Sequence, residues 1–147
     1  MSIVVDPVRT DAASTPGRLA IGDAESGRRW CWRELDRAAD RVAAWLAGKL
    51  GAGSGARVAV LARNHPLQVV LQFACARAGA IFVPLNWRLA QAELAPILAD
   101  ADPALIFHDA DFAVPEGRAQ HFDLTELETI GEDGARAALW RGGDAST

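Results

Sequence analysis

The sequence predicts an α/β fold in which a βαβαβ parallel sheet is flanked by helices. Three observations carry this. Between residues 57 and 108, short apolar runs alternate with longer segments of helical period. The joins between them are only a few residues long, so each strand returns beside its predecessor through a helical crossover, which makes the sheet parallel. At 147 residues, 50% of them hydrophobic, the chain also has enough apolar surface for one compact core.

Residues 1–17 are polar, with Pro7, Pro16 and Gly17, and read as an arm. RLAIGD (18–23) and RRWCW (28–32) are two short strands around an AESG turn, a hairpin pattern. From Arg33 the period changes. Leu35, Ala39, Val42, Leu46 and Leu50 fall at spacings of three and four, with Asp36, Arg37, Asp40 and Arg41 opposite, so an amphipathic helix runs to a stop at Gly51. Glu34 holds the reciprocal position of a capping box, but its partner position is Cys31, a weak acceptor. Hairpin and helix form a unit over 18–56.

The core unit spans 57–108. RVAVLA (57–62) is its first strand. NHPLQVVLQFACARAG (64–79) is a helix entered through Asn64 and Pro66, closed by Gly79, and apolar nearly all round, as a helix between layers is. AIFVPL (80–85) is the second strand, with the composition of one built for burial. AQAELAPILADAD (90–102) is a helix that Pro96 should kink, because proline removes one backbone donor. PALIFHD (103–109) is the third strand. Beyond it, residues 109–147 read as an acidic periphery: DFAVPEG as an edge strand and turn, LTELETI and EDGARAALWRG as short helices.

Charge and composition narrow the function. The net charge is −4, which gives no reason to expect a nucleic-acid partner. Residues 1–97 carry 12 Arg and Lys against 8 Asp and Glu, and residues 98–147 carry 3 against 11, a solvated acidic end. Cys31 and Cys75 make no disulfide framework, and Cys75 reads as a small buried hydrophobe. No run is apolar for long enough to cross a bilayer, and MSIVVDPVRT lacks the basic start of a signal peptide. A soluble protein of the cytoplasm is the expectation.

Four features bear on chemistry. LGAGSGAR (50–57) is glycine-rich, but it follows a helix and opens a strand, the reverse of a phosphate loop, and reads as a flexible connector. Lys49, the one lysine, suits the last turn of a helix. HDAD (108–111) sits at a strand exit where Asp makes turns, and no second cluster completes a metal site; His65 reads as a helix-entry residue and His121 as a surface one. NWRL (86–89) is the strongest candidate. It lies just past the C-terminal end of a parallel strand, where open α/β sheets place ligands. Arg88 suits a phosphate and Trp87 a planar group, while a solvated Arg and a packed Trp is the alternative.

GARVAVLARNHPLQVVLQFACARAGAIFVPLNWRLAQAELAPILADADPALIF, with WCWRELDRAADRVAAWL before it, resembles the opening of the AMP-forming acyl-CoA synthetases of the adenylate-forming superfamily. The resemblance covers about residues 18–108. It implies the N-terminal subdomain of that fold and an enzyme that activates a carboxylate with Mg-ATP as an acyl-adenylate, then passes the acyl group to CoA. It places Arg88 as a contact to the nucleotide part of CoA, with ATP, Mg2+ and CoA as cofactors, and is compatible with a homodimer. The family's Ser/Thr/Gly-rich phosphate loop, adenine-binding segment, ribose-binding Asp and C-terminal Lys have no counterpart in these 147 residues. The expectation is therefore an N-terminal portion, inactive alone, whose last segment leads toward that loop; a stand-alone, non-catalytic α/β module that binds a ligand or partner is the rival reading. Fatty, aryl and cinnamoyl-type acids stay open as substrates, and so does a carrier-protein acceptor in place of CoA.

Overall fold

A computed structural model describes residues 5–132. The elements in chain order are α1 (Pro7–Ser14), β1 (Leu19–Gly22), β2 (Arg29–Cys31), α2 (Trp32–Leu50), β3 (Arg57–Leu61), α3 (Pro66–Ala78), β4 (Ile81–Pro84), α4 (Gln91–Ala101), β5 (Leu105–His108), β6 (Gln120–Asp123) and α5 (Glu126–Glu132). β1 and β2 pair antiparallel as the expected hairpin. The other four strands form one parallel sheet in the order β4-β3-β5-β6.

That order follows from two crossovers that run in opposite directions along the sheet. α3 carries the chain from β3 to β4 on one side, and α4 carries it back past β3 to β5 on the other. Alternation along each strand then divides the core in two. Val58, Val60, Leu105 and Phe107 face α2, α3 and α5, while Ala59, Leu61 and Ile106 face Leu94 of α4. In the larger half, Trp45 of α2 meets Phe107 and Phe122 edge-on, at 6.1 and 5.3 Å between ring centroids, and those two rings stack at 5.2 Å. Cys75 is buried there, and desolvation pushes its thiol up to about 12.

The structure corrects several sequence expectations. Within the supposed arm, residues 7–14 are helical. Asp6 caps them by accepting the Arg9 N–H at 3.0 Å, Pro7 suits the first turn, and Val8 is buried. The polar residues of α1 are ties to the body. Arg9 pairs with Asp40 at 2.6 Å, and Arg77 of α3 reaches Asp6 at 2.8, Asp36 at 2.7 and Asp40 at 3.0 Å. β4 is an edge strand of the described sheet, so Ile81 and Pro84 are exposed, not buried. An edge is where a residue without an N–H costs least. α4 continues unbroken through Pro96, where the one acceptor left over belongs to exposed Ala92. DFAVPEG forms no strand; β6 lies at Gln120–Asp123 instead. The capping box at α2 is not made, because Glu34 accepts from the Cys31 thiol at 3.1 Å. The helix expected over 132–142 lies outside the described residues, apart from Glu132. No helix among the described residues is long and apolar enough to cross a membrane.

Candidate functional site

The point where connections leave the sheet in opposite directions lies between β3 and β5, and the crevice outside their C-terminal ends is the expected ligand position of such a sheet. A cavity of about 260 Å³ opens there, lined by Arg63, Asn64, His65, Asp109, Asp111 and Asp123 among others. β3 delivers Arg63 and β5 delivers Asp109. The backbone N–H of Arg63 donates to the Asp109 carboxylate at 3.0 Å, which fastens the two strand ends together. The Arg63 guanidinium is 3.6 Å from Asp111 and 3.9 Å from Asp109, ion-pair distances too long for hydrogen bonds.

Beside the crevice stands the turn that follows β4. Asn86 accepts the Arg88 N–H at 3.0 Å through its side chain, an Asx turn that fixes the backbone and leaves Arg88 exposed. Trp87 is half-buried and stacks on Phe112 of the β5–β6 connection, with centroids 6.0 Å apart and planes 10° from parallel. The Arg88 guanidinium lies 5.0 Å from the Trp87 ring centre. That of Arg63 lies 5.6 Å from the same ring and 4.8 Å from Phe112. Two guanidiniums thus lie within cation–π reach of the same indole, where an exposed Arg88 can meet an anion. Trp87 packs against the smaller half of the core, which includes Leu94 of α4, as the packed-Trp reading expected, and its ring also meets Phe112 and both arginines.

The other candidates fall to structural roles. Lys49 lies 5.5 Å from the ring centres of both Trp45 and Phe122, at the end of α2. The glycine segment is a fitted connector rather than a slack one. Gly53 and Gly55 donate their N–H groups to Ala78 and Gly79 carbonyls, both at 2.9 Å, so they are turned toward the end of α3. His65 Nδ1 accepts the Leu67 N–H at 3.1 Å and caps α3. The HDAD run separates: the Asp109 carboxylate serves Arg63, and the His108 ring turns to His121 with centroids 5.5 Å apart. Asp123, at the end of β6, is held below the ordinary carboxylate value by the hydroxyl and N–H of Thr125. Among the described residues no three His, Cys, Asp or Glu side chains converge as metal ligands. Arg63 and Phe112 were missed by sequence reasoning. The signal for Arg63 was its place two residues past a parallel strand, the kind of position that singled out Arg88.

A parallel sheet with these helices and this crevice is shared by several enzyme classes, so the comparison with known families decides. The model of the AMP-binding enzyme family matches residues 8–140. This chain belongs to the AMP-binding enzyme family. Among the curated members, a feruloyl-CoA synthase from Amycolatopsis sp is 39% identical over 132 residues, covering 86% of this chain and 26% of that enzyme. A fatty acid–[acyl-carrier-protein] ligase, ScoC, from Streptomyces coeruleorubidus is 31% identical over 121 residues, covering 82% of this chain and 22% of that one. The chain thus spans about a quarter of the length of these two relatives. Among solved AMP-binding structures, the O-succinylbenzoate Coenzyme A synthetase from Bacillus subtilis, in complex with AMP, superposes with a TM-score of 0.73 at 27% identity, over 84% of this chain and 32% of that one. The α/β architecture read from the sequence is therefore that of the N-terminal region of adenylate-forming enzymes.

Proposed function

We propose that this region works within an ATP-dependent acyl-CoA synthetase, an acid–thiol ligase, and that Arg88 holds the nucleotide part of CoA. In such an enzyme ATP activates a carboxylate as its adenylate, and CoA then takes the acyl group as a thioester. The observation that carries the reading is Arg88 itself: an exposed guanidinium on a backbone fixed by Asn86, at the C-terminal edge of the parallel sheet. To the phosphorylated end of CoA, Arg88 would offer charge and paired donors. The glycine segment offers ATP no phosphate cradle, because the N–H groups of Gly53 and Gly55 are bonded to the end of α3, and among the described residues no three His, Cys, Asp or Glu side chains converge. Activation of the carboxylate is therefore assigned to sequence beyond this region, and the 147 residues alone are expected to support no ATP–pyrophosphate exchange.

The test uses an enzyme in which this region is joined to a full adenylating domain. Arg88→Ala is expected to raise the KM for CoA about tenfold, the loss of a charge-assisted hydrogen bond. Carboxylate-dependent ATP–pyrophosphate exchange should stay within about twofold, because Arg88 is not asked to act in adenylation. An unchanged KM for CoA would refute the role of Arg88, and exchange by the 147-residue chain alone would refute the division of labour. The relation to ScoC favours a second reading, in which the acceptor thiol sits on a carrier protein. Thioester formation with a holo-carrier protein but not with CoA would select it.

A further inference from the structure

We infer that Arg63 is a positioning residue for the CoA contact, acting through Trp87 to present Arg88; the inference rests on the role proposed for Arg88. Arg63 joins three segments that are distant in sequence. Its backbone belongs to the end of β3 and bonds to Asp109 past the end of β5. Its guanidinium lies 4.8 Å from the centre of Phe112, in the β5–β6 connection, and 5.6 Å from that of Trp87, in the turn after β4. The Arg88 guanidinium stands 5.0 Å from the same indole. The order of contacts is thus Phe112 and Arg63, then Trp87, then Arg88.

Each contact restrains the next. Trp87 is nearly parallel to Phe112 at 10°, and a cation set against both rings favours that arrangement over one in which the indole swings out. With the indole held, Arg88 has a fixed surface to lie on and loses fewer rotamers when a phosphate binds. Asp109 and Asp111, at 3.9 and 3.6 Å, hold the Arg63 guanidinium by charge without saturating its donors. An arginine suits this task because its planar cation stacks on aromatic rings, which an ammonium does less well.

The experiment is a double-mutant cycle on the enzyme that carries this region, with CoA as the varied substrate. Arg63→Ala is expected to raise the KM for CoA about threefold to tenfold and to leave ATP–pyrophosphate exchange unchanged. Arg63→Lys should fall between wild type and Arg63→Ala. On an Arg88→Ala background, Arg63→Ala should add little, because a residue that acts through Arg88 has nothing left to position. Additive effects of the two substitutions would overturn the inference and make Arg63 an independent contact. So would a parallel fall in exchange, the mark of general structural damage. If Arg88→Ala raises the KM and Arg63→Ala does not, the inference fails while the role of Arg88 stands. If neither raises it, both fall.

Discussion

Arg77 shows how much one side chain fastens in this fold. Only 10% of it is exposed, and it reaches Asp6 before α1 as well as Asp36 and Asp40 on α2. Removing it takes a buried partner from three carboxylates and leaves them only Arg9, at 2.6 Å from Asp40, 3.6 Å from Asp36 and bonded to Asp6 through its N–H, so Arg77→Met is expected to cost about 2–3 kcal/mol. That is less than for a fully buried pair, since Asp40 is half exposed and can rehydrate. Burial alone would raise the Asp6 carboxyl, but the hydrogen bonds from Arg77 and the Arg9 N–H outweigh it and hold the group below its ordinary 3.8. Asp40 is lowered first by its hydrogen bond from Arg9. A carboxyl lowered by folding contributes stability that is fully present above the ordinary value and is lost as pH falls through the folded one. Unfolding free energies measured between about pH 2 and 6 should therefore decline below about pH 4, and Arg77→Met should flatten that decline. At this scale the sequence was partly legible. Arg88 stood out because its strand was recognised. Arg63, just past the end of another strand, gained meaning only when strand order set it beside Asp109 and Trp87.

Among the elements, the join between the glycine connector and α3 is the tightest. Gly79 has a φ of +71°, and a Cβ placed there would lie 2.5 Å from the Cα of Gly53. Gly79→Ala carries the cost of a left-handed backbone and a clash with main chain that cannot rotate away, about 2–4 kcal/mol together. Gly53 has a similar φ of +66° but open space around it, so Gly53→Ala should cost only about 1 kcal/mol. Chemical denaturation of the two variants separates the clash from the backbone term; equal losses would contradict this account. Elements with a clear period were read well: α2, α3, the hairpin and three parallel strands follow their apolar spacing. α1 was missed because its composition is polar, although Asp6-Pro7 is a helix entry. β6 was missed because Phe122 is the one apolar residue of its four.

For the molecule as a whole, the two halves of the core are unequal. The side carrying α2, α3 and α5 holds the Trp45, Phe107 and Phe122 cluster, whereas α4 buries only Leu94. Phe107, fully buried, touches both other rings, and Phe107→Ala is expected to cost about 3–5 kcal/mol. A shift in the denaturation midpoint at constant m would confirm that the fold persists with a weakened core. Fold class was legible because alternating periods admit few topologies. The candidate site was legible only at Arg88, because its other residues come from connections that meet only after the sheet is ordered. The order β4-β3-β5-β6 also bears on how the chain is made. β3 is the first strand of the sheet to be synthesised, yet it ends with a neighbour on each side, and its second neighbour is not complete until His108. At cellular rates of about 5–20 residues per second, β3 waits roughly 2–10 seconds with one flank unpaired. The part already available to shelter its apolar side chains is α2, which leaves the ribosome before β3 does.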